Sequence, residues 1–255
     1  MNKWLTGLLA VVCSVLLAQP AAARPVSYAA LGASYTSGVG AGDYDPASGA
    51  CQRTPRAYPA LWVAEQHVPE FTFVACSGAT TADVLGKQLP AVPEESTLVS
   101  VNVGGNDVGL IPVVGQCATG PEQACLDRVE QARDQVRTVL PGRLDGLYDA
   151  IRTQAPDARV LVLGYPLFFG TGECPASPKA RHAVNELAEE LNMITASRAT
   201  AHGFRYGDAG VTFAGHELCT ADPWLHGADA GGDAWHPTRA GQTDGYLPLL
   251  RRLAG

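Results

Sequence analysis

Short apolar runs recur along the chain and predict the strands of a β-sheet. Residues 97–103 are rich in aliphatic side chains, which is typical of a parallel strand buried on both faces. Four other, shorter runs end close to a glycine. The sequence therefore predicts strands at residues 26–31, 71–75, 97–103, 159–163 and 204–206.

The segments between these strands are longer and show helical periodicity. Along residues 178–202 aliphatic side chains recur three or four positions apart, so they lie on one stripe of a helix, and Gly203 provides a stop. The stripe consists of Val184, Leu187, Leu191 and Ile194. Further helices are predicted at residues 57–67, 80–89, 121–140, 143–154 and 240–253, with a break at Pro141-Gly142.

Strands that alternate with helices indicate βαβ units, in which right-handed crossovers join parallel strands. We therefore predict an α/β fold, a three-layer α/β/α sandwich around a mostly parallel sheet of about five strands. In open sheets of this kind, ligands bind beyond the carboxyl ends of the strands. Functional residues are consequently expected in the loops that follow the predicted strands.

Three of these loops carry a residue suited to catalysis. Ser34 follows the first predicted strand, Gly78 the second and Asn106 the third. Because parallel strands end at the same edge of a sheet, we expect these three residues to lie close together. Far along the chain, Asp233 precedes His236 by three positions.

Together these residues supply the parts of a serine hydrolase. A serine hydroxyl is a weak nucleophile at neutral pH, so Ser34 needs a base, and His236 is the preferred one. Asp233 is the preferred acceptor for the second ring nitrogen of His236, with Asp229 and Asp244 as weaker candidates. Two loop histidines keep open roles, namely His216 and His226.

An acyl-transfer reaction also needs donors for the negative charge that develops on the carbonyl oxygen. The natural set is the backbone N–H of Ser34, the backbone N–H of Gly78 and the side-chain amide of Asn106. A glycine at position 78 lets the main chain approach closely. The Gly-x-Ser-x-Gly pattern of the α/β-hydrolases does not fit, because residue 36 is Thr36.

The first residues have the pattern of an export signal. Lys3 is followed by an apolar stretch at residues 4–18 and by small residues that end at Ala23. We expect residues 1–23 to be a signal peptide cleaved near Ala23 and residues 24–255 to form one secreted domain. An uncleaved membrane anchor is the alternative, although the stretch is short for a membrane span.

Six cysteines remain after this segment: Cys51, Cys76, Cys117, Cys125, Cys174 and Cys219. An even number in an exported chain predicts three disulfides. Sequence alone leaves the pairing open, although Cys117 and Cys125 are near enough to close a short loop. No Cys-x-x-Cys motif is present and the histidines are isolated, so no metal site is expected.

The charge of the chain narrows the possible partners. A formal net charge of −7 argues against binding to nucleic acid or to anionic membranes as the main activity. A small-molecule or lipid ester substrate is expected, with at most transient contact with lipid surfaces. No cofactor is implied, and a monomer is expected.

These motifs resemble those of the SGNH hydrolases, also called GDSL-type esterases and lipases, over residues 26–252. The resemblance implies a nucleophilic serine, a glycine and an asparagine donor, and a histidine base with an aspartate three residues before it. On this chain these positions are Ser34, Gly78, Asn106, His236 and Asp233.

Residues 75–81, Ala-Cys-Ser-Gly-Ala-Thr-Thr, and the six cysteines look especially like the secreted actinobacterial lipases and esterases. That likeness implies disulfides that join Cys51 to Cys76, Cys117 to Cys125 and Cys174 to Cys219. One position departs from the pattern, since the usual Gly-Asp-Ser is Gly32-Ala33-Ser34 here. A carboxylate that helps to hold the nucleophile loop is therefore missing.

The expected function is hydrolysis of carboxylic esters through an acyl-enzyme on Ser34. Acyl glycerides, phospholipids and short-chain aryl esters are the expected substrate classes. Two alternatives remain at this stage. A polysaccharide deacetylase would use the same residues, and a binding protein with weakened catalysis would account for Ala33.

Overall fold

The computed structural model describes residues 25–255, so the predicted signal peptide at residues 1–23 lies outside the described residues. The strands of the described chain are β1 Ser27–Gly32, β2 Glu70–Phe73, β3 Leu98–Asn102, β4 Arg159–Leu163 and β5 Arg205–Gly207. They form one parallel sheet in the order β2-β1-β3-β4-β5. The predicted α/β fold with a parallel sheet is confirmed.

The neighbouring strands β1 and β3 carry the sheet's most buried positions. Every residue of β1 and of β3 is buried, and Ala29 pairs with Val99 across them. The chain leaves β1 toward one edge of the sheet and then crosses back to β3 on the other side. In such a topology a crevice opens at the carboxyl ends of the strands where the direction reverses. Ser34 follows β1 at this point.

Helices cover the sheet in two groups. The helices of the described chain are α1 Ser34–Ser37, α2 Tyr58–Gln66, α3 Thr81–Asp83, α4 Leu110–Thr119, α5 Glu122–Thr138, α6 Leu140–Gln154, α7 Pro178–Ala201, α8 Ala209–Thr212 and α9 Leu247–Ala254. Helices α5, α6 and α7 pack against one another, whereas α2 packs against α9. None of the helices within residues 25–255 is both long and apolar enough to cross a membrane.

Two helix predictions need correction. Helix α4 was not predicted, because Pro112 and Gly115 interrupt its pattern; Pro112 lies in the first turn, where its missing N–H leaves no helical bond unmade. The predicted break at Pro141-Gly142 falls earlier, at Val139. Pro141 lies in the first turn of α6, a position that proline tolerates well.

Two predicted helices contain a π-helical turn. Residues 80–89 form α3 and then the π turn Val84–Gln88, and the last helix begins with the π turn Gly241–Tyr246. A proline follows shortly after each turn, Pro90 in one case and Pro248 in the other. A proline lacks an N–H and its ring crowds the carbonyl four residues earlier, which explains why regular α-helical bonding is lost at both places.

The six cysteines are paired in the structure. Three disulfides join Cys51 to Cys76, Cys117 to Cys125 and Cys174 to Cys219, the same pairs that the resemblance implies. The first of these joins the segment between α1 and α2 to the loop that follows β2, two residues before Gly78.

Candidate active site

Ser34 is presented by a sharp turn at the end of β1. Gly32 has φ +136°, and a Cβ there would collide with the carbonyl oxygen of Asn102 on β3, so the position requires glycine. The N–H of Ala33 donates to the same oxygen at 3.0 Å. The chain then enters α1, whose first residue is Ser34. The methyl group of Ala33 is buried in the apolar core.

His236 contacts Ser34 directly. Its Nε2 lies 2.9 Å from the Oγ of Ser34, and its Nδ1 lies 2.9 Å from the carbonyl oxygen of Ala234. A carbonyl oxygen only accepts hydrogen bonds, so Nδ1 carries the proton and Nε2 is free to accept one from Ser34. This is the tautomer that a general base requires.

The structure corrects the predicted contact between Asp233 and His236. The acceptor of the Nδ1 proton is the main-chain carbonyl of Ala234, whereas the carboxylate of Asp233 accepts from the hydroxyl of Tyr44 at 2.7 Å. That hydroxyl in turn accepts from the N–H of Gly40 at 2.8 Å. Burial, together with the neighbouring carboxylate, raises the pKa of Tyr44 to about 12, so its hydroxyl stays protonated and can donate.

The environment of His236 favours its neutral form. The ring is buried, and this loss of hydration lowers the pKa of His236 below the ordinary imidazole value. Contacts with the main chain of Ala234 and Asp233 oppose that decrease without cancelling it. The imidazole is therefore uncharged at neutral pH and available to take a proton.

The loop that carries His236 is held by contacts from distant parts of the chain. Tyr35 donates its hydroxyl to the carbonyl of Trp235 at 2.7 Å. The ring Nε2 of His226 donates to the carbonyl of Gly40 at 2.8 Å, and the main-chain N–H of His226 donates to the carbonyl of His236 at 2.9 Å. His226, whose role the sequence left open, thus braces this loop.

The other open candidates are not brought to the base. His216 stacks on Trp224, with ring centroids 3.6 Å apart, and contacts Asp222. Asp229 and Asp244 are both exposed. Asp233 is the candidate nearest to His236 in the sequence, and its carboxylate binds the hydroxyl of Tyr44 instead of the His236 ring.

The three expected oxyanion donors follow β1, β2 and β3. Gly78 has φ +78°, and a Cβ there would meet nothing within 4 Å. No acceptor in residues 25–255 takes the N–H of Gly78 or that of Ser34. The side-chain nitrogen of Asn106 donates one hydrogen to the carbonyl of Ala79 at 2.9 Å, which leaves its second hydrogen for another acceptor.

Asp107 is a site residue whose role the sequence interpretation missed. Its side chain is 1 % exposed, and its carboxylate accepts from the N–H of Thr81 at 2.9 Å and from the hydroxyl of Thr81 at 2.6 Å. Arg143 forms an ion pair with it at 3.1 Å. Asp107 therefore links the Asn106 loop to the start of α3, just after Gly78. An acidic residue directly after Asn106 was the only signal in the sequence.

An apolar cavity of about 670 Å³ reaches the chain next to His236, although neither Ser34 nor His236 lines it. Trp235, the residue before His236, forms part of its wall. Leucine, proline and alanine side chains complete much of the lining: Ala118, Pro175, Leu218, Pro223, Leu225 and Ala228. Such a surface suits a hydrocarbon chain better than a sugar.

The fold and the paired serine and histidine are those of an α/β ester hydrolase. Residues 30–243 match the model of the GDSL-like Lipase/Acylhydrolase family, and the chain belongs to that family. A lipase of Streptomyces rimosus is 49 % identical over 231 residues, which span 89 % of this chain and 86 % of that lipase. The chain is a carboxylic ester hydrolase.

Solved structures agree with this assignment. Phospholipase A1 from Streptomyces albidoflavus NA297 superposes with a TM-score of 0.87 at 48 % identity, covering 90 % of this chain and 100 % of that one. An extracellular lipase from Streptomyces rimosus gives a TM-score of 0.86 at 48 % identity, covering 89 % and 99 %. Neither the polysaccharide deacetylase nor the binding-protein alternative is favoured by these relatives.

Proposed function

We propose that Ser34 is the nucleophile of this hydrolase and His236 its general base. The observation that carries the proposal is the chain of contacts from Ser34 Oγ through the imidazole to the carbonyl of Ala234, each 2.9 Å long. Asp233 acts at a distance, through Tyr44 and through its negative charge, rather than by holding the ring.

In the first step the Oγ of Ser34 bonds to the ester carbonyl carbon while its proton passes to Nε2 of His236. The N–H groups of Ser34 and Gly78 and the free amide hydrogen of Asn106 donate to the resulting oxyanion. The bond to the alcohol then breaks as His236 returns the proton to the leaving oxygen. Water then attacks the acyl carbonyl carbon while His236 takes its proton. The bond from that carbon to the Oγ of Ser34 breaks as His236 passes the proton to Oγ, which releases the carboxylic acid and restores free Ser34.

The substrates are lipid esters, with the acyl chain in the apolar cavity next to Trp235. The relatives are a lipase and a phospholipase A1, which supports this substrate class. The three disulfides, and a relative described as extracellular, support secretion after cleavage near Ala23.

A fluorophosphonate probe tests the nucleophile. Mass spectrometry should find one adduct, on Ser34, and Ser34→Ala should abolish both labelling and hydrolysis of p-nitrophenyl butyrate. Ser197→Ala, which changes an exposed serine on α7, is the matched control and should keep full activity. An adduct on another residue would show that the nucleophile lies elsewhere.

A series of p-nitrophenyl esters from acetyl to palmitoyl tests the substrate class. We expect kcat/KM to rise with chain length until the cavity is filled, because each buried methylene adds favourable transfer free energy of about 0.8 kcal/mol. Acetyl esters as the best substrates would contradict the lipid assignment while leaving the assignment of Ser34 intact.

A further inference from the structure

Two buried glutamines hold the main chain on either side of Ser34. Gln88 is 3 % exposed and Gln242 is 0 % exposed. Each of them lies in one of the two π-helical turns, and each uses its side-chain amide to bind main-chain groups. Neither touches the Oγ of Ser34 or the ring of His236, so any effect on the reaction must be indirect.

Gln88 binds the main chain of Gly32, two positions before the nucleophile. Its Oε1 accepts from the N–H of Gly32 at 2.9 Å, and its Nε2 donates to the carbonyl of Gly32 at 2.9 Å. The same carbonyl accepts from the N–H of Cys76 at 3.0 Å. Gly32 has no side chain and Ala33 has only a methyl group, so the polar contacts that hold this turn come from elsewhere in the chain. Gln88 supplies two of them.

Gln242 binds the main chain of Tyr35, directly after the nucleophile. Its Nε2 donates to the carbonyl of Tyr35 at 3.1 Å, and its Oε1 accepts from the N–H of Tyr58 at 3.0 Å. Tyr35 also donates its hydroxyl to the carbonyl of Trp235, next to His236. Gln242 thus acts on the position of the nucleophile turn and, through Tyr35, on the loop of the base.

The direction of the Ser34 N–H depends on the peptide between Ala33 and Ser34. That peptide lies between Gly32, which Gln88 binds, and Tyr35, which Gln242 binds, so the chain is restrained on both sides of it. A donor of fixed direction stabilises an oxyanion more than a mobile one does, because it needs no reorganisation during the reaction. A misplacement of about 1 Å can cost about a hundredfold in rate. π turns are frequent at functional sites, where they place a side chain out of the α-helical register.

We propose that Gln88 and Gln242 are positioning residues that orient the oxyanion-binding N–H of Ser34. Gln88 supplies polar contacts to this turn that the methyl group of Ala33 cannot make. The inference rests on the proposed role of Ser34 and adds two residues to the machinery of the same site.

Gln88→Met and Gln242→Met test the proposal, because methionine has nearly the same length, has no hydrogen-bond donor and accepts only weakly. We expect kcat for p-nitrophenyl acetate to fall about tenfold to a hundredfold with KM within about twofold, since the lost contacts act mainly in the transition state. The rate of phosphonylation of Ser34 should fall in parallel. Measurements belong at a temperature where each variant is fully folded.

Asn185→Leu is the matched control for lost stability. Asn185 also binds main chain through its amide, accepting from the N–H groups of Phe168 and Phe169 and donating to the carbonyl of Phe169. Its removal should lower the melting temperature and leave kcat for the acetate ester within about twofold. If Gln88→Met and Gln242→Met behave in the same way as this control, the glutamines serve stability alone and the proposal is wrong.

Gln88→Glu provides a second readout that does not depend on a variant losing all its contacts. A protonated carboxyl group donates to the carbonyl of Gly32 and accepts from its N–H, as the amide does, whereas a carboxylate repels that carbonyl. Burial should raise the pKa of the new carboxyl group. Activity relative to the native chain at the same pH should therefore be near normal at pH 5.5 and fall toward that of Gln88→Met at pH 9.

A ratio that does not change with pH would overturn the role of Gln88. The failure of the proposed function looks different, because Ser34→Ala would then retain hydrolysis and the fluorophosphonate adduct would lie on another residue. The two failures can thus be told apart with the same substrate and the same probe.

Discussion

Two aspartates near the site, Asp107 and Asp233, show opposite relations between sequence position and contact. Asp233 has the spacing expected of the partner of His236, yet its carboxylate binds Tyr44. Asp107 belongs to no expected pair, yet it is buried and binds Thr81 and Arg143. A carboxylate's contribution therefore follows from the donors that face it, and its distance along the chain from the catalytic histidine is a poor guide.

Removal of the base should give the largest loss of kcat, with which the losses from changing either aspartate can be compared. His236→Ala removes the group that takes the proton from Ser34, so kcat should fall by about 10⁴-fold or more. Steady-state kinetics with p-nitrophenyl butyrate measure this loss. A decrease of less than tenfold would mean that another residue accepts the proton.

A carboxylate at position 33 should be harmful rather than helpful. The side chain of Ala33 is packed among apolar residues, so the carboxylate of Ala33→Asp would be buried without the donors that Asp107 has. We expect a melting temperature lower by several degrees and a reduced kcat. Calorimetry and kinetics of this variant decide the point, and a higher kcat at unchanged stability would show that the turn does accept a second brace.

Asp107→Asn should reduce turnover about tenfold, because an amide nitrogen in place of one carboxylate oxygen faces the N–H or the hydroxyl of Thr81 and weakens the link to the Asn106 loop. Asp83→Asn is the control. Asp83 caps the same helix through Thr80 but makes no contact with that loop. Equal turnover in the two variants would reduce Asp107 to a helix cap.

Asp233→Asn should cost less than about tenfold in kcat, far below the roughly 10⁴-fold loss seen when a protease triad loses its aspartate. The carbonyl of Ala234 still accepts from His236 in this variant. Tyr44→Phe, which removes the donor to Asp233, should show a loss of similar size. A loss near 10⁴-fold would restore Asp233 as the direct partner of the base.

The smallest effect concerns the acid limb of the pH profile. Burial lowers the pKa of His236, and the neutral ring is the active form, so kcat/KM should fall only as pH drops below about 6.5. The charge of Asp233 raises that pKa slightly, so Asp233→Asn should move the limb to lower pH. A limb above pH 6.5, or a shift in the opposite direction, would contradict the charge state assigned to the base.

The sequence alone determined the sheet and the residues at its carboxyl edge. Short runs rich in aliphatic or aromatic side chains predicted all five strands, each within about two residues of its place. Because parallel strands end together, Ser34, Gly78 and Asn106 could be assigned to one edge without knowledge of the packing. The pairing of His236 with Ser34 rested on chemical roles and on the family resemblance.

Tertiary structure alone decided which groups hold these residues in place. Three contacts depend on how loops meet after folding: the acceptor for His236, the partners of Asp107 and the hydrogen bond from Gln242 to Tyr35. The last of these joins residues 207 positions apart. Helix α4 and the two π turns escaped prediction because proline and glycine disturb the local pattern while packing compensates for them. Local periodicity reports on burial, whereas hydrogen bonds between distant segments leave no periodic trace in the sequence.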